Sequence, residues 1–234
     1  MRGIITWGGI IAEKVILMLF NLNLPTLISR IFVLLTAFAV HEFAHAWAAD
    51  RFGDPTPRNN GRLTLNPMAH LDPMGSLMLI AVGFGWAKPV PVNPFALARR
   101  SSAAMMWVSL AGPASNLLMA LIAAIPFQLG LVSMFAAFTN PGAILPSLDK
   151  LLYEFVFINL LLMLFNLIPL APLDGEKILY YLLPISGQRF MDSIRPYGPL
   201  ILLAVLFVGP LLGFNIIGSI IGPPLNALMS VLVG

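Results

Sequence analysis

Residues Ile31 to Asp50 read IFVLLTAFAVHEFAHAWAAD, an apolar run broken near its end by two histidines and a glutamate. The run predicts a membrane-crossing helix, since about 20 apolar residues cover the hydrocarbon core. His41 and His45 are four residues apart, so a helix presents both imidazoles on one face, where a single divalent metal can bridge them. Glu42, beside the first histidine, is placed to hold a water at that metal and take its proton. Ionisable side chains are costly in hydrocarbon and are kept there for use. HEFAH in this setting points to a metal hydrolase working within the membrane.

The composition of the whole chain agrees. Of 234 residues, 59% are hydrophobic and 10% charged, whereas soluble domains carry about 25% charged residues. Apolar runs cover Ile4 to Leu24 (broken by Glu13 and Lys14), Ile31 to Ala49, Ser102 to Leu129, Leu151 to Leu170, Leu200 to Gly218 and Ile220 to Val233. Leu77 to Trp86 is too short to cross and reads as a re-entrant or buried segment. The first run lacks the basic start and small-residue cleavage site of a signal peptide. No linker, low-complexity tract or repeat divides the chain. Residues 1–234 therefore read as a single transmembrane domain, with a core at about 31–185 and C-terminal helices at about 196–233.

The net charge of +3 comes mainly from arginines near the ends of spans, a topological signal rather than a nucleic-acid surface. The connection from Arg51 to Arg100 carries Arg51, Arg58, Arg62, Lys88, Arg99 and Arg100 against Asp54 and Asp72. It and the Lys177 to Arg195 stretch are expected in the cytoplasm, with the lipid bilayer of a prokaryotic plasma membrane around the spans. Within this connection Arg62 to Asn66 alternates polar and apolar side chains, the pattern of a short strand. A second extended segment at Lys88 to Val92 contains Pro89 and Pro91, which restrict it to an edge. The expected fold is an all-α polytopic membrane protein of about six transmembrane helices, with a short interfacial β-strand or hairpin and a re-entrant segment.

Two histidines are too few for a catalytic zinc, which takes three protein ligands and leaves one position for water. The absence of cysteine removes thiolate ligands, and His70 is the one further histidine. Asp174 is favoured by depth. If the first helix runs inward, His41 and His45 lie about 7 to 14 Å below the cytoplasmic surface. The run from Leu151 brings Asn166 to Asp174 to the same side, where Pro169 and Pro172 open the backbone. Asp174 could equally cap the helix that follows, with no metal nearby. His70 reads either as a structural loop histidine or as an active-site group that steadies substrate; a permanent fourth ligand would close the position water needs. LAGPASN at Leu110 to Asn116 supplies small residues for close helix contact and one amide that must find a partner.

Together these motifs resemble the site-2 proteases, intramembrane metalloproteases of the M50 class, in their short prokaryotic form without appended regulatory domains. The resemblance rests on HEFAH at His41 to His45, on NLIPLAPLDG at Asn166 to Gly175, and on Gly112, Pro113 and Asn116 between them. GRLTLNPMAHLDPMG and FGWAKPVPVN also look like signatures of the short subgroup, and the similarity runs from about Phe32 to the C-terminus. It implies one Zn(2+) held by His41, His45 and Asp174, with Glu42 as general base and Asn116 and Asn166 close to the site. The activity implied is hydrolysis of membrane-anchored protein substrates near the cytoplasmic side. Such substrates must unwind locally, and Arg62 to Asn66 would pair with them by strand addition. The competing class is a non-catalytic membrane adaptor or a metal-permeation protein. Glu42 discriminates, because neither needs a carboxylate fixed beside the first histidine as a water activator.

Overall fold

The computed structural model describes residues 23–75, 78 and 85–234. Most of the first apolar run and most of Leu77 to Trp86, the expected re-entrant segment, lie outside the described residues.

Helix α1 (Leu24–Arg51) starts where the Asn23 side chain accepts the Thr26 N–H at 3.0 Å, with proline in its first turn. Both features supply what a helix start needs, an acceptor for an orphan N–H and a residue with no N–H to satisfy. Its buried positions Ser29, Val33, Ala37, His41, His45 and Ala49 recur every four residues and form one face, with Glu42 beside them. Helix α2 (Ala104–Gln128) packs between α1 and α3 (Leu148–Asn166). Its inward positions include Gly112, Ala120, Ala123 and Ala124, whose small size lets the helices approach closely. At one end of the bundle Ala120, Ala124 and Phe127 meet Val156, Leu160 and Met163 of α3. At the other end Ala48 and Ala49 meet Leu97, Ala104 and Val108. Large apolar side chains such as Phe32, Leu118 and Ile122 point outward, as expected where the surrounding solvent is hydrocarbon.

After α3 the chain leaves the helix at Leu167 and turns through Pro169 and Pro172 into α4 (Asp174–Leu182). A long run, α5 (Ile185–Leu211), and a shorter helix, α6 (Ile216–Leu232), complete the chain.

This architecture corrects the expected fold. It is all-α, but among the described residues three helices, α1, α2 and α5, are long and apolar enough to cross a membrane, not about six. The run Leu151 to Leu170 overstated its helix, which ends at Asn166 and carries Asp149, Lys150 and Glu154 in its first two turns. Those charges are tied down: Lys150 meets Glu154 at 2.8 Å, and Arg30 of α1 reaches Glu154 at 3.3 Å. Of the run Ile220 to Val233, all but the last residue belongs to the 17-residue α6. The run Leu200 to Gly218 is split between two helices, because the chain turns at Gly213, where φ is +83°.

The expected strand and hairpin are absent as well. No strand occurs among the described residues, and Leu71 and Ala87 form only an isolated antiparallel bridge. Side chains claim the backbone of Arg62 to Asn66 instead. Thr64 Oγ1 accepts the Asn66 N–H at 3.1 Å, and Asn66 Oδ1 accepts the Met68 N–H at 3.1 Å to cap a single turn at Pro67–Ala69. Such local bonds compete directly with strand pairing, and Pro67, Pro89 and Pro91 remove donors that a ladder would need.

Candidate metal centre

Helix α1 delivers His41 and His45 from successive turns of its buried face, with Nε2 atoms 3.0 Å apart. The Asp174 Oδ2 atom stands 3.2 Å from His41 Nε2 and 3.1 Å from His45 Nε2. Asp174 is the first residue of α4 rather than its cap, a position taken by Leu173. Gly175 is required by the approach: a β-carbon there would lie 2.2 Å from the Leu167 carbonyl oxygen. The same holds for Gly112 of α2, whose missing β-carbon leaves room for both imidazoles.

The far sides of the two rings are fixed by hydrogen bonds. His45 Nδ1 faces the Val108 carbonyl at 2.7 Å, so that nitrogen carries the proton. For His41 the assignment runs through two amides. The Phe155 carbonyl accepts the Asn159 amide N–H at 2.9 Å, which turns the Asn159 oxygen toward Asn116. Asn116 then donates to Asn159 Oδ1 at 2.9 Å and offers its own oxygen to His41 Nδ1 at 2.6 Å. In the neutral rings both Nε2 atoms therefore bear bare lone pairs, aimed at each other and at a carboxylate oxygen. Three such atoms at 3.0–3.2 Å repel unless a cation sits among them. Ligands about 2.0–2.2 Å from one tetrahedral zinc are about 3.3 Å from each other, close to these separations. The donor set fits one zinc ion per chain.

Glu42 enters the same space. Its Oε2 accepts the Val90 N–H at 3.1 Å, which ties α1 to the segment after residue 85. The four side chains line a cavity of about 450 Å³, together with Trp86, Val90, Met105, Ser109, Phe165 and Leu202. Lys177 also lines it, with Nζ 3.9 Å from Asp174 Oδ1.

Of the other residues singled out from sequence, Asn166 lines the cavity and donates to the Leu162 carbonyl at 3.0 Å. Asn116 lies behind His41 rather than in the cavity. His70 is not among the lining residues. It is buried in its loop with Nε2 2.8 Å from the Thr64 carbonyl, while Nδ1 has no partner among the described residues. Its carbonyl accepts the Lys88 N–H at 2.8 Å. Asn159, the Val108 carbonyl and the Val90 N–H went unnoticed in the sequence. For Asn159 a signal existed: a lone amide within the apolar stretch FVFINLLL, where a polar group needs a partner.

A helical membrane protein that buries two histidines and an aspartate around a zinc-sized space, with a glutamate beside them, defines the class of membrane-embedded zinc metalloproteases. The chain belongs to Peptidase family M50. Residues 129–209 match that family directly. A protein of Bacillus subtilis (strain 168), named "Putative zinc metalloprotease YwhC", is 41% identical over 202 residues, which cover 84% of this chain and 85% of that one. "Putative zinc metalloprotease Rip2" of Mycolicibacterium smegmatis is 33% identical over 74% of this chain and 64% of its own length. Its namesake in Mycobacterium tuberculosis (strain ATCC 25618 / H37Rv) is 33% identical over 76% and 66%. No solved structure matches.

Proposed function

We propose that the protein is an intramembrane endopeptidase that hydrolyses peptide bonds of membrane-anchored proteins near the cytoplasmic side. The observation that carries this reading is the convergence of His41, His45 and Asp174 on one point within apolar helices, with the Glu42 carboxylate in the same cavity. His41, His45 and Asp174 hold the zinc, which when bound acidifies a water and polarises the scissile carbonyl. Glu42 takes the proton of the attacking water and passes it to the leaving amine. The Val90 N–H orients the Glu42 carboxylate for that transfer. Asn116, steadied by Asn159, and the Val108 carbonyl keep the proton on Nδ1 of each histidine, so that Nε2 stays free to bind metal. Asn166 lies where an unwound substrate would pass, on the wall of the cavity. Residues 31–185 supply this machinery, and α5 closes one side of it through Leu202 and Leu203.

The test is cleavage of a panel of single-span reporters by the purified protein in detergent or lipid. Cleavage should be abolished by a chelator and restored by zinc, and the new termini should map to the cytoplasmic half of the reporter span. Reporters left intact across the panel by zinc-loaded protein would contradict the reading.

A further inference from the structure

Three buried or half-buried hydroxyls in the helices of this chain return to their own backbone. Ser29 donates to the Pro25 and Thr26 carbonyls at 3.0 Å, Thr36 to Phe32 at 2.8 Å and Ser115 to Gly112 at 2.7 Å. The exposed Ser219 and Ser230, near the other end of the sequence, do the same at 2.8 and 2.9 Å. Two buried helix hydroxyls do not: that of Thr26, which lines a separate pocket beside Lys150 and Glu154, and that of Ser109 of α2. Ser109 is 1% exposed, yet it lines the metal cavity, and its hydroxyl makes no hydrogen bond among the described residues. Its oxygen opens to the cavity instead of being sealed in protein.

The register of α2 aims that hydroxyl. Ser109, Gly112 and Asn116 follow one another at helical spacing and share a face. The carbonyl before Ser109, that of Val108, holds His45. The missing β-carbon of Gly112 would sit 2.4 Å from His45 Nε2. Side chains three apart on a helix start about 5–6 Å from each other, so Ser109 stands one helical turn from the metal-facing nitrogens. Of the nearby polar groups, Lys177 pairs with Asp174 at 3.9 Å, and the others are committed elsewhere. The Asn166 amide donates to Leu162, the Val90 N–H to Glu42, and both histidine Nδ1 atoms face fixed acceptors. A neutral donor beside the ligands, uncommitted and facing an otherwise largely apolar cavity, suits an oxygen that gains charge during reaction.

We propose that Ser109 is a further catalytic residue, whose hydroxyl donates a hydrogen bond to the scissile carbonyl oxygen as negative charge develops on it. The proposal rests on the protease reading. When water adds to the carbonyl carbon, the π electrons move onto that oxygen, and the bond from Ser109 strengthens as they do. The hydroxyl keeps its proton throughout, while Glu42 carries the transferred one.

The experiment compares wild type, Ser109→Ala, Ser109→Thr and Ser109→Val for kcat, KM and zinc content on a cleaved single-span reporter. Removing one such donor costs roughly 100-fold or more in kcat. Ser109→Ala should therefore lose kcat on that scale, with KM and zinc content unchanged. The Thr and Val variants are nearly the same shape and differ in the hydroxyl, so Thr should be clearly more active than Val even if Ala folds poorly. Equal activity of Thr and Val, a Ser109→Ala variant within about twofold of wild type, a change confined to KM, or loss of zinc would each overturn the assignment. A wild-type protein that cleaves no reporter would instead overturn the protease reading, and the role of Ser109 with it.

Discussion

Gly112 of α2 lies so close to His45 of α1 that a β-carbon at residue 112 would be 2.4 Å from His45 Nε2. The same atom would be 2.6 Å from His41 Cε1, so one methyl group would displace both rings. The glycine is therefore part of the metal centre, although it offers no ligand.

Replacing Gly112 with alanine should weaken zinc binding far more than it destabilises the helix, since alanine is the better helix former by about 1 kcal/mol. Isothermal titration of the metal-free variant with zinc, beside its melting temperature, separates the two effects. Zinc affinity should fall while melting of the metal-free protein stays near that of wild type.

Asn159 touches the candidate metal site through Asn116 and His41. Asn159→Leu removes the partner that fixes the Asn116 amide, and the amide is then free to turn its N–H toward His41 Nδ1. Loss of such an outer partner costs about 10–100-fold in metal affinity or activity. The expected result is a variant that still binds zinc when it is in excess and releases it to a competing chelator sooner than wild type does.

His70 should behave differently. Its ring bonds the Thr64 carbonyl, and its own carbonyl holds Lys88, two residues before the Val90 N–H that bonds Glu42. His70→Ala removes a buried side chain and its hydrogen bond, a change worth about 1–3 kcal/mol. Zinc should remain stoichiometric, stability should fall by that amount, and turnover should decline through a loosened Glu42. Stoichiometric loss of zinc would return His70 to the ligands.

What the sequence made legible follows from the range of the physics involved. His41 and His45 face one way because helical spacing is local, and a run of apolar residues is enough to reveal a membrane helix. Helix ends are harder, because composition does not register them. Leu167 to Leu173 is as apolar as the helix before it, yet it leaves the helical path at the turn toward α4. The alternation at Arg62 to Asn66 suggested a strand because five residues cannot reveal that Thr64 and Asn66 spend their side chains on the local backbone. Asp174 was reached through depth and through resemblance, since nothing local joins it to α1. Gly112, Asn159 and Ser109 depend on how α2 sits against α1 and α3. That is a tertiary relation, and no window of sequence contains it.

The most direct test of the central claim is zinc content and reporter cleavage measured together on Glu42→Gln. The amide keeps the shape of the side chain and cannot accept the proton of water. The account expects about one zinc per chain, as in wild type, and cleavage slower by at least 10²–10⁴-fold. Cleavage near the wild-type rate with zinc in place would contradict it.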